Sequence, residues 1–60
     1  MKSVDLIRAI KEEGCVLVRH GGCHDWYKNT ITGHMEAVPR HREISEMLAR
    51  SIIRKLSSNS

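Results

Sequence analysis

Sixty residues, with ten Lys or Arg against seven Asp or Glu, carry a net charge of +3 when the histidines are neutral. A chain this short makes one domain at most and buries only about 60% of the surface its unfolded form exposes. Two cysteines are too few for a secreted disulfide scaffold, and no apolar run approaches the roughly 20 residues that cross a membrane.

The opening MKSVDLIRAIKEEG is amphipathic and carries acids, unlike a secretory signal, so a reducing cytoplasm is the expected compartment. The basic balance suits a polyanionic partner, of which nucleic acid is the common one. It serves equally for solubility alone.

Residues 3–13 read as a helix. Ser3 is placed at the N-cap and Asp5 in the first turn, where a carboxylate complements the helix dipole. Leu6, Ile7 and Ile10 form one apolar stripe with Val4 at its edge, and Gly14 stops the helix. Residues 15–20, CVLVRH, read as a short strand rich in β-branched residues. Gly21-Gly22 reads as a two-residue hairpin turn, since glycine tolerates the positive φ of the primed turns.

Residues 24–29, HDWYKN, make the second strand, and Asn29-Thr30-Ile31-Thr32-Gly33 is turn-rich. Residues 34–38 make a third strand closed by Pro39. A second helix is expected over 46–56, with Ser45 as N-cap, Ile44 as staple and Met47, Leu48, Ile52 and Ile53 as its core stripe. Arg50 and Arg54 make a solvated face, and residues 57–60 a frayed, disordered tail. The whole is one domain over 1–60. Its fold class is α+β, in the order α-β-β-β-α: a three-stranded antiparallel sheet with both helices on one face. The other sheet face is left partly open.

A two-residue turn pairs His20 with Cys23, Arg19 with His24, Leu17 with Trp26 and Cys15 with Lys28. Opposed residues share a face, so Arg19, His24, Leu17, Trp26 and Lys28 line one side, and Val16, Val18, Asp25 and Tyr27 the other. Three of the first set form a cationic strip beside Trp26. One of the two aromatics faces the helices; the other, if exposed, can stack on a base. Cys15 and Cys23 fall about 16 Å apart along the hairpin, too far for a disulfide. The set Cys15, His20, Cys23 and His24 does not converge on a zinc ion. Cys15 reads as a small buried hydrophobe.

Several segments together resemble one family. They are MKSVDLIRAIKEEG, VLVRHGG, the step Gly22-Cys23-His24 with Asp25-Trp26-Tyr27-Lys28-Asn29 after it, Val38-Pro39-Arg40-His41, and Ala49-Arg50-Ser51-Ile52-Ile53. Their order and spacing look like HicA toxins, the mRNA-interferase half of HicA–HicB toxin–antitoxin systems, over roughly residues 1–56. The resemblance implies a fold like the double-stranded RNA-binding domain. It implies a stress-response endoribonuclease that cuts single-stranded mRNA and arrests translation in the cytoplasm. It also implies a HicB-type antitoxin that covers the active surface and supplies any DNA contact. The family motif is usually Gly-Ser-His, and its catalytic histidine maps onto His24. Cys23 stands where serine is common, and a thiol is the weaker hydrogen-bond donor.

On that reading His24 accepts a proton from a ribose 2′-OH, and neither metal nor cofactor is required because the nucleophile belongs to the substrate. Arg19 and Lys28 stabilise phosphate charge, and Arg40 and Arg42, flanking His41, grip the RNA backbone. His20, His34 and His41 are all open as the general acid. The alternative is a non-catalytic RNA-binding module of the same fold. A structural interaction protein with no RNA affinity is a third reading.

Overall fold

The structure, a computed structural model, describes residues 1–57. Its elements run α1 (Ser3–Glu12), β1 (Cys15–His20), β2 (His24–Asn29), β3 (Met35–Pro39) and α2 (Glu46–Leu56). The sheet is antiparallel in the order β1-β2-β3. This is the expected α-β-β-β-α architecture. Among the described residues no helix is long and apolar enough to cross a membrane.

Both helices bury one stripe against one face of the sheet. The core combines Leu6 and Ile10 of α1, Cys15, Tyr27 and Val38 of the sheet, Ile44 ahead of α2, and Ala49, Ile52 and Leu56 of α2. Each fully buried Leu or Ile contributes about 1.5–3 kcal/mol relative to exposure, so few such residues are dispensable. The expected α2 stripe is partly wrong. Met47 is 84% exposed and Leu48 43% exposed, while the small Ala49 is fully buried. Two positions before Ala49 lies about 200° around a helix, which turns Met47 away from the sheet.

The helix ends follow local chemistry with one correction. Ser45 caps α2, its hydroxyl accepting from the Leu48 amide at 3.2 Å. Ser3 does not cap α1: the cap is Lys2, without a side-chain bond. The chain after β3 returns past this end instead, and the Arg42 carbonyl accepts from the Ser3 amide at 2.9 Å. Gly14, at φ 94°, lets the chain leave α1 in the left-handed region that favours glycine. Within the predicted tail, Ser57 closes α2 and donates to Glu13 at 3.3 Å. Residues 58–60 lie outside the described residues.

The hairpin register differs from the expected one. Cys15 pairs with Asn29, Val16 with Lys28 and Leu17 with Tyr27; after a bulge at Val18, Arg19 pairs with Trp26 and His20 with Asp25. Neither Gly21 nor Gly22 has a positive φ, so no primed two-residue turn forms. The chain loops through Gly21, Gly22 and Cys23, closed by a 2.7 Å bond from the Gly21 amide to the His24 carbonyl. Near the turn the pairing is displaced by two residues. Strand side chains repeat every two, so the even shift keeps Arg19 on the face of His24, Trp26 and Lys28. Beyond the bulge the shift is one residue, which exchanges Val16 and Leu17 between faces.

Candidate functional site

The open face of the sheet carries Val16 and Arg19 from β1, His24, Trp26 and Lys28 from β2, and Met35, Ala37 and Pro39 from β3. His24 is exposed at the first position of β2, opposite Pro39. Proline lacks a backbone donor, and here it stands on an edge strand where none is needed. The His24 backbone is fixed by the Gly21 bond, and the Cys23 carbonyl accepts from the Arg40 amide at 3.1 Å. Among the described residues nothing hydrogen-bonds the imidazole itself. The Arg19 guanidinium lies 5.5 Å from the centre of the Trp26 ring, a cation–π distance. Lys28 is exposed four residues along from His24, about 13 Å down the strand.

Gly21 is needed for room rather than for its φ. A Cβ there would lie 3.0 Å from the His24 carbonyl oxygen and 3.3 Å from Trp26 Nε1, whereas one on Gly22 would meet nothing within 4 Å. Gly21→Ala is therefore expected to destabilise by about 1–2 kcal/mol, with Gly22→Ala within about 0.5 kcal/mol of the parent. Urea denaturation of the two variants checks this contrast, and equal midpoints would show that the close approach has no consequence.

Asp25 points to the opposite face and braces the same loop. Its Oδ1 lies 2.8 Å from His20 Nδ1 and accepts from Arg40 Nε at 2.8 Å, while Arg40 Nη2 donates to the Gly21 carbonyl at 3.2 Å. An ionised carboxylate only accepts, so the His20 contact requires the proton on Nδ1. The His20 hydrogen bond, then that of Arg40, holds the Asp25 carboxyl below its ordinary 3.8, against some desolvation.

The stabilisation from a lowered carboxyl pKa is complete above the unfolded value and is lost as pH falls through the folded one. Below about pH 4 the parent should lose stability faster than Asp25→Asn, whose side chain does not titrate. Acid denaturation curves of both proteins test this; parallel curves would remove Asp25 from the acid response.

The structure thus draws Arg19 and Lys28 onto the face of His24. Arg40 comes to the same end of the sheet but is engaged with Asp25. Arg42 sits beside the start of α1, with Lys2, Ser3 and Val4. His34 lies at the far end of β2, where its carbonyl accepts from the Asn29 amide and its ring stands 3.3 Å from the Lys55 carbonyl. His20 is across the hairpin with Asp25, and His41 is exposed beyond β3. Cys15 is buried and Cys23 exposed, both as free thiols. Burial, and then the Glu13 charge, push the Cys15 thiol up. Tyr27 is the aromatic that faces the helices; burial, and then Asp25, raise its hydroxyl.

Two residues escape a reading of the sequence. The Asp25 brace depends on the true register and leaves no local signal. Asn29 does leave one, as the residue opening a turn-rich stretch. It is fully buried, and its amide donates to the Glu13 and Leu56 carbonyls at 3.1 and 2.6 Å. Its Oδ1 accepts from the Ile31 and Thr32 amides at 2.7 and 3.2 Å.

Compared with known proteins, the chain matches the family described as HicA toxin of bacterial toxin–antitoxin over residues 3–57. No curated protein and no solved structure matches it. The family match spans every element from α1 to α2, including the hairpin that presents His24, and the chain belongs to the HicA toxin family of bacterial toxin–antitoxin systems.

Proposed function

We propose that this HicA-family chain is a metal-independent endoribonuclease that cuts single-stranded mRNA, with His24 as its catalytic residue. The observation that carries the reading is an exposed imidazole with no hydrogen-bond partner among the described residues, on a sheet face shared with Arg19, Trp26 and Lys28. His24 takes the proton of a ribose 2′-hydroxyl. The 2′-oxygen bonds to the adjacent phosphorus, and the bond from phosphorus to the 5′-oxygen breaks. That oxygen takes a proton from water as it leaves, and the imidazolium returns its own to solvent. The products are a 2′,3′-cyclic phosphate and a 5′-hydroxyl. The substrate supplies its own nucleophile, so the step calls for no metal.

Arg19 is nearer than Lys28 among the cations on the His24 face and stabilises negative charge on the phosphate oxygens. Lys28 holds the RNA backbone further along the face. Arg40 and Arg42 add positive charge on the segment after β3, Arg40 while it also braces the loop. A HicB-type antitoxin neutralises the toxin by covering this face, and DNA contact comes only through that complex.

The reading is tested with one RNA sequence in three forms: single strand, duplex, and single strand with 2′-O-methyl groups. The single strand is expected to be cut, the methylated strand left whole and the duplex resistant. Cleavage of the methylated strand would rule out 2′-oxygen attack. Binding of all three without cleavage would make the chain a non-catalytic RNA-binding module.

A further inference from the structure

Trp26 is an unusual residue for its position. A large aromatic on a small sheet normally joins the core, as Tyr27 does, yet Trp26 lies half-buried on the face away from both helices. Its cross-strand neighbours are Arg19, whose guanidinium lies over the ring 5.5 Å from its centre, and the small Ala37 on β3. Gly21 lets the indole edge lie close against the loop, where a Cβ would meet Nε1 at 3.3 Å. His24 stands two residues away on the same face, about 7 Å along the strand. A base and its 2′-hydroxyl are carried by one ribose, so a single nucleotide spans that interval.

We propose that Trp26, with the Arg19 guanidinium at cation–π distance beside it, is a nucleobase platform that holds the base of the nucleotide next to the scissile phosphate. The inference rests on the RNA-cleaving reading of the same face and adds what positions the substrate there. An indole offers a flat apolar surface on which any base stacks without hydrogen-bond readout. A guanidinium adds a second planar group that keeps N–H donors for the neighbouring phosphate. The platform favours purines, whose larger rings cover more of the indole. It also favours single strands, because bases in a duplex are not free to splay out.

Trp26 is the chain's only tryptophan, so its fluorescence reports the site directly. The experiment titrates the His24→Ala chain, which binds without cutting, with two end-labelled oligomers of equal length: oligoadenylate and an abasic ribose–phosphate chain. Label anisotropy reads binding and tryptophan emission reads stacking. Oligoadenylate is expected to bind and quench; the abasic chain should bind about tenfold more weakly or worse and leave the emission unchanged. In the His24→Ala background, Trp26→Phe should retain most of the affinity for oligoadenylate, and Trp26→Ala should fall to the abasic level. Binding of oligoadenylate without quenching would overturn the platform while leaving the RNA reading intact. If neither oligomer binds, both fall. Should Trp26→Ala fail to fold, the quenching titration decides alone, since it needs no change at Trp26.

Discussion

Replacing Asn29 with leucine is expected to unfold most of the protein. Leucine matches the branched skeleton of asparagine but is bulkier, so in this fully buried position overpacking adds to the cost. Hydrogen bonding changes a great deal: the Glu13 and Leu56 carbonyls and the Ile31 and Thr32 amides each lose a partner. A buried group left unsatisfied costs about 1–3 kcal/mol. Some of the four can reach water, since only the Leu56 bond is fully buried, and the Leu56 carbonyl keeps a weak donor in the Cys15 thiol at 3.6 Å, so a loss of about 2–4 kcal/mol follows. A domain of this size rarely has more than about 3–5 kcal/mol in total. The variant should therefore show a much lowered or absent thermal transition by circular dichroism. A midpoint within a few degrees of the parent would mean that Asn29 is not the joint between the helix ends and the β2–β3 turn.

Asn29 also marks where reading the chain by local pattern stops working. Its turn-forming character is visible in Asn29-Thr30-Ile31-Thr32-Gly33. Its burial is not, because the Glu13 and Leu56 carbonyls reach it only once both helices have docked. The element order is legible throughout, since Leu6, Ile10, Ile52 and Leu56 recur at helical spacing and Gly14 and Pro39 punctuate the chain. The hairpin register is not legible. A glycine pair suggests a two-residue turn, yet the room needed between Gly21, His24 and Trp26 decides the loop, and the bulge at Val18 absorbs the difference. The cationic face is unchanged by that difference because the displacement near the turn is even. The α2 stripe fails only in its first half, and for another reason: Ile52 is buried and Ile53 packs against the core, but Met47 and Leu48 stand off the narrow face that Ala49 allows to approach the core.

His24→Ala is expected to lower RNA cleavage by about 10²–10⁴-fold, the usual worth of a positioned proton acceptor. The residue is exposed and its imidazole is not part of the core. Stability should therefore stay within about 0.5 kcal/mol of the parent, so lost activity could not be ascribed to unfolding. His24→Gln separates proton transfer from contact. Glutamine keeps a donor and an acceptor but takes up no proton at neutral pH. It should bind RNA nearly as well as the parent and cut no better than alanine. If glutamine restored cleavage, His24 would be a binding residue and the proton would go elsewhere.

In the proposed mechanism, one histidine on an open sheet face turns the RNA's own 2′-hydroxyl into the nucleophile. Its most direct test is cleavage of a single-stranded RNA in EDTA by the full chain and by His24→Ala, both confirmed folded, with the product ends identified. Only the parent is expected to cut, leaving 2′,3′-cyclic phosphate and 5′-hydroxyl ends. Loss of parent activity in EDTA, 3′-hydroxyl and 5′-phosphate ends, or equal cutting by His24→Ala would contradict that mechanism.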